Sequence, residues 1–227
     1  MKTFLNVGCG PAYRSKIKGF DNDDWKEIRF DIDENVNPDI VGTLTDMKLV
    51  KTGSMDAVHS AYNIDHIYPH EVPVALKEFY RVLNDDGIVF IRCPDIQTVC
   101  EAVVQDKFLE PLYETPRGDK IYPIDILFGN RQEIADGNKY MTKKCGFTYS
   151  VLERMFSEAD FKARYGGRIP LNGGELALVA FKQKKSEEEI KKNSESILSI
   201  LVCIEDVHSA IIKKPRILWP NQINRTG

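Results

Sequence analysis

Phe4-Leu5-Asn6-Val7-Gly8-Cys9-Gly10-Pro11, with Asp31 about twenty residues further on, is the stretch whose reading decides the fold. Phe4 to Val7 is an apolar run of strand length, and the two glycines after it let the backbone turn sharply and approach a ligand closely. Asp31 closes a second apolar stretch, Ile28 to Ile32, at the spacing where a doubly wound fold sets a carboxylate against ribose hydroxyls. The pair predicts a site for a ribose-bearing cofactor.

The residue after the glycines narrows the choice. A dinucleotide fingerprint wants a third small residue, so that a helix N-terminus can meet a pyrophosphate. Tyr13 stands there instead. Its ring favours a ribose-bearing ligand without phosphate, and S-adenosylmethionine is the commonest of these.

Working outward, apolar runs of strand length alternate with stretches of helical spacing. Phe4 to Val7, Ile28 to Ile32, Ile40-Val41, Ala57 to Ser60 and Ile88 to Cys93 form the βαβ signature of an α/β protein with a parallel sheet. Phe161 to Tyr165 and Leu176 to Phe181 flank a turn region with Pro170, Asn172, Gly173 and Gly174, and read as an antiparallel pair at the sheet edge. Val72, Leu76, Phe79, Tyr80 and Leu83 recur at helical spacing, with Asn84-Asp85-Asp86-Gly87 as the C-terminal stop.

Several segments stand in a recognisable order: the strand-glycine loop, Phe30-Asp31-Ile32-Asp33, Pro38 to Asp46, Ser54 to Ala61, Asp65-His66 and Leu76 to Gly87. This order resembles the class I S-adenosylmethionine-dependent methyltransferases. It is most similar to small methyltransferase-domain proteins met among surface polysaccharide and other carbohydrate-modifying enzymes, with Gly146-Phe147-Thr148 and Glu175 to Lys182 completing the pattern. The resemblance covers residues 1–182. It implies a Rossmann-like, doubly wound, seven-stranded and mostly parallel sheet with an antiparallel last strand. It also implies S-adenosylmethionine as cofactor and S-adenosylhomocysteine as product, held by Asn6, Gly8, Cys9, Gly10, Asp31, Ile32, Thr43, Leu44 and Ala61. Thr43 and Leu44 are expected to border the adenine.

The sequence departs from the family pattern in places. Asn6 replaces the usual acidic residue, Thr43 an aspartate, Asp65 a glutamate and Asn84-Asp85-Asp86 a Lys-Pro-Gly. A histidine common in relatives gives way near Lys143.

Methyl transfer asks little of a protein, because a sulfonium methyl is already a strong electrophile. The enzyme aligns the nucleophile and removes a proton where the acceptor is a hydroxyl. His66, just past the fourth strand, is the candidate base, with Asp65 to orient it; the competing reading is a histidine that packs or caps the following helix. His59 lies within a strand and reads as a satisfied core residue. Residues 95–148 exceed a minimal doubly wound domain and read as an acceptor-side lid, or else as a shield for the sheet edge. Tyr62, Tyr68, Tyr113, Tyr122 and Tyr140 gather by sequence around the mouth of this site.

Composition limits the partners. The 227 residues carry a formal net charge of −3 and offer no basic field for a nucleic-acid backbone. Together with this charge, the resemblance implies a small-molecule or carbohydrate acceptor, methylated at oxygen. The alternatives are a nucleic-acid or protein acceptor, and a non-catalytic cofactor-binding or assembly module of the same fold. The five cysteines form no Cys-x-x-Cys pair, so neither a metal centre nor a disulfide framework is expected. With no apolar run of membrane-spanning length, a soluble, unprocessed, cytoplasmic protein is expected. Residues 183–227 read as a helical and irregular tail in which Ile197, Ile200, Ile204, Val207 and Ile211 form an apolar seam suited to a homodimer, or else to docking on the core of its own chain.

Overall fold

The structure is a computed structural model that describes residues 1–115, 118–170 and 173–190. The tail seam from Ile197 to Ile211, and the homodimer expected through it, lie outside the described residues. Seven strands form one sheet in the order β3-β2-β1-β4-β5-β9-β8. They are β1 (Lys2–Val7), β2 (Trp25–Asp31), β3 (Ile40–Val41), β4 (Met55–Ala61), β5 (Leu83–Pro94), β8 (Ala163–Ile169) and β9 (Glu175–Phe181). The first five pair in parallel, and β9 runs antiparallel to both β5 and β8. The doubly wound, mostly parallel sheet expected from the sequence is thus present.

Burial on both faces explains the composition of the central strands. Leu5, Val7 and Val58 enter one apolar layer with Leu76, Phe79, Leu152 and Phe156, while Phe4, Ala57 and Phe90 enter the other with Phe20. Every residue of β9 is buried, as a near-continuous apolar run in a covered sheet requires. The helix α1 (Val72–Val82) buries Val72, Leu76 and Phe79 at spacings of four and three, and α5 (Tyr149–Glu158) buries Leu152 and Phe156. The helix stop differs from the reading of the sequence. α1 ends at Val82, and Asn84 to Gly87 belong to the irregular start of β5, where the pairing jumps from Met55–Leu83 to Ala57–Ile88.

Between β5 and β8 the chain forms α2 (Ile96–Val104), a hairpin of β6 (Tyr113–Glu114) and β7 (Lys120–Ile121), α3 (Pro123–Phe128) and α4 (Arg131–Ala135), before α5. Asp95 caps α2 by accepting from the Gln97 amide at 3.0 Å, and its other oxygen takes the Arg168 guanidinium, which ties the excursion to β8. Among the described residues no helix is long and apolar enough to cross a membrane.

The strand order reverses between β1 and β4, so a crevice opens at their carboxyl ends. Behind it lies a buried polar pair in adjacent strands. His59 Nδ1–H donates to Asn6 Oδ1 at 2.9 Å, and the Asn6 amide donates to Glu27 at 2.7 Å. Burial, then the positive Arg92, pushes the His59 pKa down to about 3. An unfolded histidine titrates near 6.5, so the unfolded chain binds a proton here that the folded chain refuses. This contribution to stability is complete above about pH 6.5 and is lost as pH falls toward 3. His59→Gln removes the titration, and urea unfolding from pH 7 to pH 3 should show a shallower loss of stability than the parent chain.

Candidate functional site

At the switch point the backbone needs glycine twice, for different reasons. Gly8 has φ +63°, and a Cβ there would lie 2.3 Å from Asn63 Nδ2, the side chain that bonds back to the Val7 carbonyl. Gly10 has φ +52°, and a Cβ there would meet nothing within 4 Å. The first glycine admits a neighbour, and the second leaves open space beside the cleft.

The cleft has a volume of about 340 Å³ and is lined by Gly8, Gly10, Asp31, Ile32, Thr43 and Leu44, with Asn63, His66 and residues 138–142 opposite. Six of the nine sequence-predicted cofactor residues therefore come together. Asn6, Cys9 and Ala61 do not line it. Asn6 points into the other layer of the sheet, held by His59 and Glu27. Cys9 sits between the two glycines with its thiol turned inward, and burial pushes its pKa up to about 12. Ala61 stops short because the chain bends at Tyr62, whose φ is +55°, and Tyr62 and Asn63 line the cleft in its place.

Asp31 is almost fully buried, yet each of its oxygens accepts one backbone N–H: Gly10 on Oδ2 at 2.8 Å and Asp33 on Oδ1 at 3.0 Å. A carboxylate has about four acceptor positions, so capacity remains on the cleft side. Arg29 lies two residues earlier on the same strand face. Its Nη2 donates to the Gly10 carbonyl and its Nη1 to the carbonyls of Val36 and Asn37. The Tyr13 ring lies 4.3 Å from the guanidinium carbon.

A second cavity of about 280 Å³ adjoins the cleft, and Tyr62, His66 and Met141 line both. Its other walls include Tyr113, Ile121, Asp125, Ile126, Lys143 and Glu175, most of them from the excursion after β5. Glu175, 1 % exposed, pairs with Arg92 and accepts from the Tyr62 hydroxyl; Asp125 pairs with Arg131 at 2.7 Å. Of the other sequence-flagged tyrosines, Tyr140 lines the cleft, Tyr122 precedes α3, and Tyr68 lies exposed against His70.

The predicted Asp65–His66 contact is replaced by a relay through Lys143. Asp65 forms a buried ion pair with Lys143, and Lys143 Nζ lies 3.0 Å from His66 Nε2. His66 Nδ1–H donates to the Thr142 carbonyl at 3.1 Å, which leaves the lone pair on Nε2. Burial, then the Lys143 charge, lowers the His66 pKa from its ordinary value of 6.5, against a smaller opposing pull from Asp65. The imidazole is therefore neutral at pH 7. Sequence reasoning placed Tyr62 at the mouth of the site but missed Asn63 and Met141. The close approach that Gly8 permits was the one available signal for Asn63.

Residues 5–91 match the family described as a methyltransferase domain. No curated protein matches the chain in sequence. Among solved structures, a protein of Pyrococcus horikoshii OT3 superposes with a TM-score of 0.52 at 14% identity, over 80% of this chain and 82% of its own. An S-adenosylmethionine-dependent methyltransferase of Methanosarcina mazei gives 0.51 at 11% identity, over 81% and 93%. The 1,6-didemethyltoxoflavin-N1-methyltransferase of Burkholderia thailandensis, solved with 1,6-didemethyltoxoflavin and S-adenosylhomocysteine bound, gives 0.50 at 14% identity, over 81% and 72%. At such identities these structures show the fold alone. Residues 5–91 thus match a methyltransferase domain, set in a chain with the Rossmann-like fold these structures share.

Proposed function

We propose that the protein methylates a small polar or carbohydrate acceptor at oxygen, in a methyltransferase domain of residues 1–182 whose segment 95–148 forms the acceptor side, and that it works in the cytoplasm. The observation that carries this reading is the shared wall: a cofactor-sized cleft and a smaller cavity meet at Tyr62, His66 and Met141. A cavity of about 280 Å³ suits a small molecule, and its tyrosine rings beside Asp125, Asn130 and Glu175 offer the mix of apolar faces and hydrogen-bonding groups that a hydroxylated ring uses.

Gly8 and Gly10 would hold the amino-acid end of the cofactor, Asp31 the ribose hydroxyls, and Thr43 and Leu44 the adenine. Arg29 supports a cofactor without a ribose phosphate. An arginine near the ribose carboxylate serves a 2′-phosphate in some dinucleotide enzymes, but both terminal nitrogens of Arg29 are bonded to backbone carbonyls. When bound, S-adenosylmethionine supplies an electrophilic methyl group and a neutral leaving sulfur.

The chain's own residues would orient the acceptor and take its proton. An acceptor hydroxyl that replaces Lys143 at His66 Nε2 passes its proton to that nitrogen. Lys143 stays paired to Asp65 and faces the developing oxygen anion. In this reading Asp65 positions Lys143, and through it His66.

Three outcomes follow. Full-length protein incubated with methyl-labelled S-adenosylmethionine should label hydroxylated small molecules from a panel of sugars and phenols; label found only on RNA or protein would overturn the acceptor assignment. Asp31→Ala removes charge-assisted hydrogen bonds of about 1.5–3 kcal/mol, so calorimetry should show S-adenosylhomocysteine binding weakened roughly tenfold to a hundredfold. Lys143→Met leaves Asp65 buried without its counter-ion, at a cost of about 3–5 kcal/mol in stability. It also removes the cation beside His66, so the imidazole pKa followed by NMR should rise from its depressed value, and the acid limb of turnover should move to higher pH.

A further inference from the structure

We infer that Arg29 is a positioning residue for the cofactor, a staple that holds the two loops bounding the adenosyl cleft in their binding shape; this rests on the assignment of that cleft to S-adenosylmethionine. The loop after β1 contains Gly10, and the loop after β2 reaches Val36 and Asn37. Both Gly10 and Val36 line the cleft. Neither loop hydrogen-bonds the other directly through these carbonyls. Each instead accepts from the guanidinium of Arg29: Gly10 O from Nη2, Val36 O from Nη1 at 3.0 Å, and Asn37 O from the same Nη1.

The geometry uses what only arginine has. A planar fork reaches in two directions at once, whereas an ammonium group on a flexible stem acts as a point. Burial makes the bonds count, since Arg29 is only 5 % exposed and the open face of its guanidinium is covered by the Tyr13 ring. The Asn37 residue it grips has φ +51°, a left-handed conformation that needs support from its surroundings. Arg29 Nε is buried without a hydrogen-bond partner, a cost that a side chain kept only for packing would not carry. Gly10 is the meeting point: its N–H goes to Asp31 and its carbonyl to Arg29, so two alternate residues of β2 fix one residue of the loop after β1. Loops already in their bound shape spare the ligand the cost of ordering them.

The test compares the full-length protein with Arg29→Met, which keeps the stem and loses the fork, with Arg29→Lys, which keeps the charge, and with the surface change Tyr13→Ala. Calorimetric titration with S-adenosylhomocysteine, at a temperature where each variant is fully folded, should show affinity lowered at least tenfold in Arg29→Met. Arg29→Lys should recover little of it, and Tyr13→Ala should lose about two- to fivefold. Amide exchange of the ligand-free protein gives a readout that general destabilisation does not imitate. In Arg29→Met, amides in residues 8–14 and 33–37 should exchange faster while those of β4 and β5 do not, and saturation with ligand should restore protection. Tyr13→Ala keeps the question open to measurement if Arg29→Met does not fold. If the parent chain does not bind S-adenosylhomocysteine, the cofactor assignment itself fails. If the parent binds and Arg29→Met or Tyr13→Ala binds equally well, the staple is wrong and the cofactor assignment stands.

Discussion

The cleft at the switch point depends on the grip that β2 takes on Gly10. One face of the strand presents Glu27, Arg29 and Asp31 in succession, since alternate residues point the same way. Glu27 accepts from Asn6 and from the Arg14 amide, Arg29 donates to the Gly10 carbonyl, and Asp31 accepts from the Gly10 amide. The glycine loop is thus shaped by three charged side chains of the neighbouring strand more than by its own residues. Parallel pairing in register, Lys2 with Trp25 through Val7 with Phe30, is what delivers them to the loop. A slip of one residue would turn all three to the opposite face.

The second cavity is walled by charge taken out of water. Glu175 with Arg92 and Asp65 with Lys143 are nearly buried ion pairs, and pairs of this kind repay their desolvation only where geometry and further hydrogen bonds are good. They add little to stability over an apolar filling, which favours a role in fixing the walls of the cavity. Lys143 also sets the state of His66. With Nδ1–H held by the Thr142 carbonyl and a cation at Nε2, the ring has one tautomer and stays neutral.

The sheet was legible in the sequence because burial on both faces leaves runs such as Ile88 to Cys93 and Leu176 to Phe181 with little polar interruption. That Gly8, Gly10 and Asp31 meet at one cleft was legible because close backbone approach and a carboxylate at the end of the next strand need particular residue types at a set spacing. Asn6 and Cys9 stand beside the cleft without lining it. Their partners were not readable from the segment itself: Asn6 is held by His59 and Glu27 from the neighbouring strands, and the Cys9 thiol is buried between the two glycines. The Lys143 contact was hidden by distance, since it joins residues 77 and 78 positions apart through a segment without periodicity. Arg29 was hidden by its type, because an arginine in a strand reads as an exposed edge residue until its backbone partners are known.

Tyr62 connects these parts, and its backbone shows how. It holds φ +55°, a left-handed conformation that costs a residue with a side chain about 1–2 kcal/mol. Three contacts hold it there: its amide donates to the Arg92 carbonyl at 2.9 Å, its hydroxyl donates to Glu175, and the Arg92 guanidinium reaches that hydroxyl at 3.0 Å. The strain lies where the two cavities share a wall. In a relaxed extended conformation the chain would continue the line of β4, and Asn63 would lose its seat against Gly8. The antiparallel strand β9, which brings Glu175 beside Pro94 at the end of β5, therefore holds the bend that keeps Asn63 against Gly8 and the Tyr62 ring on the wall that the two cavities share.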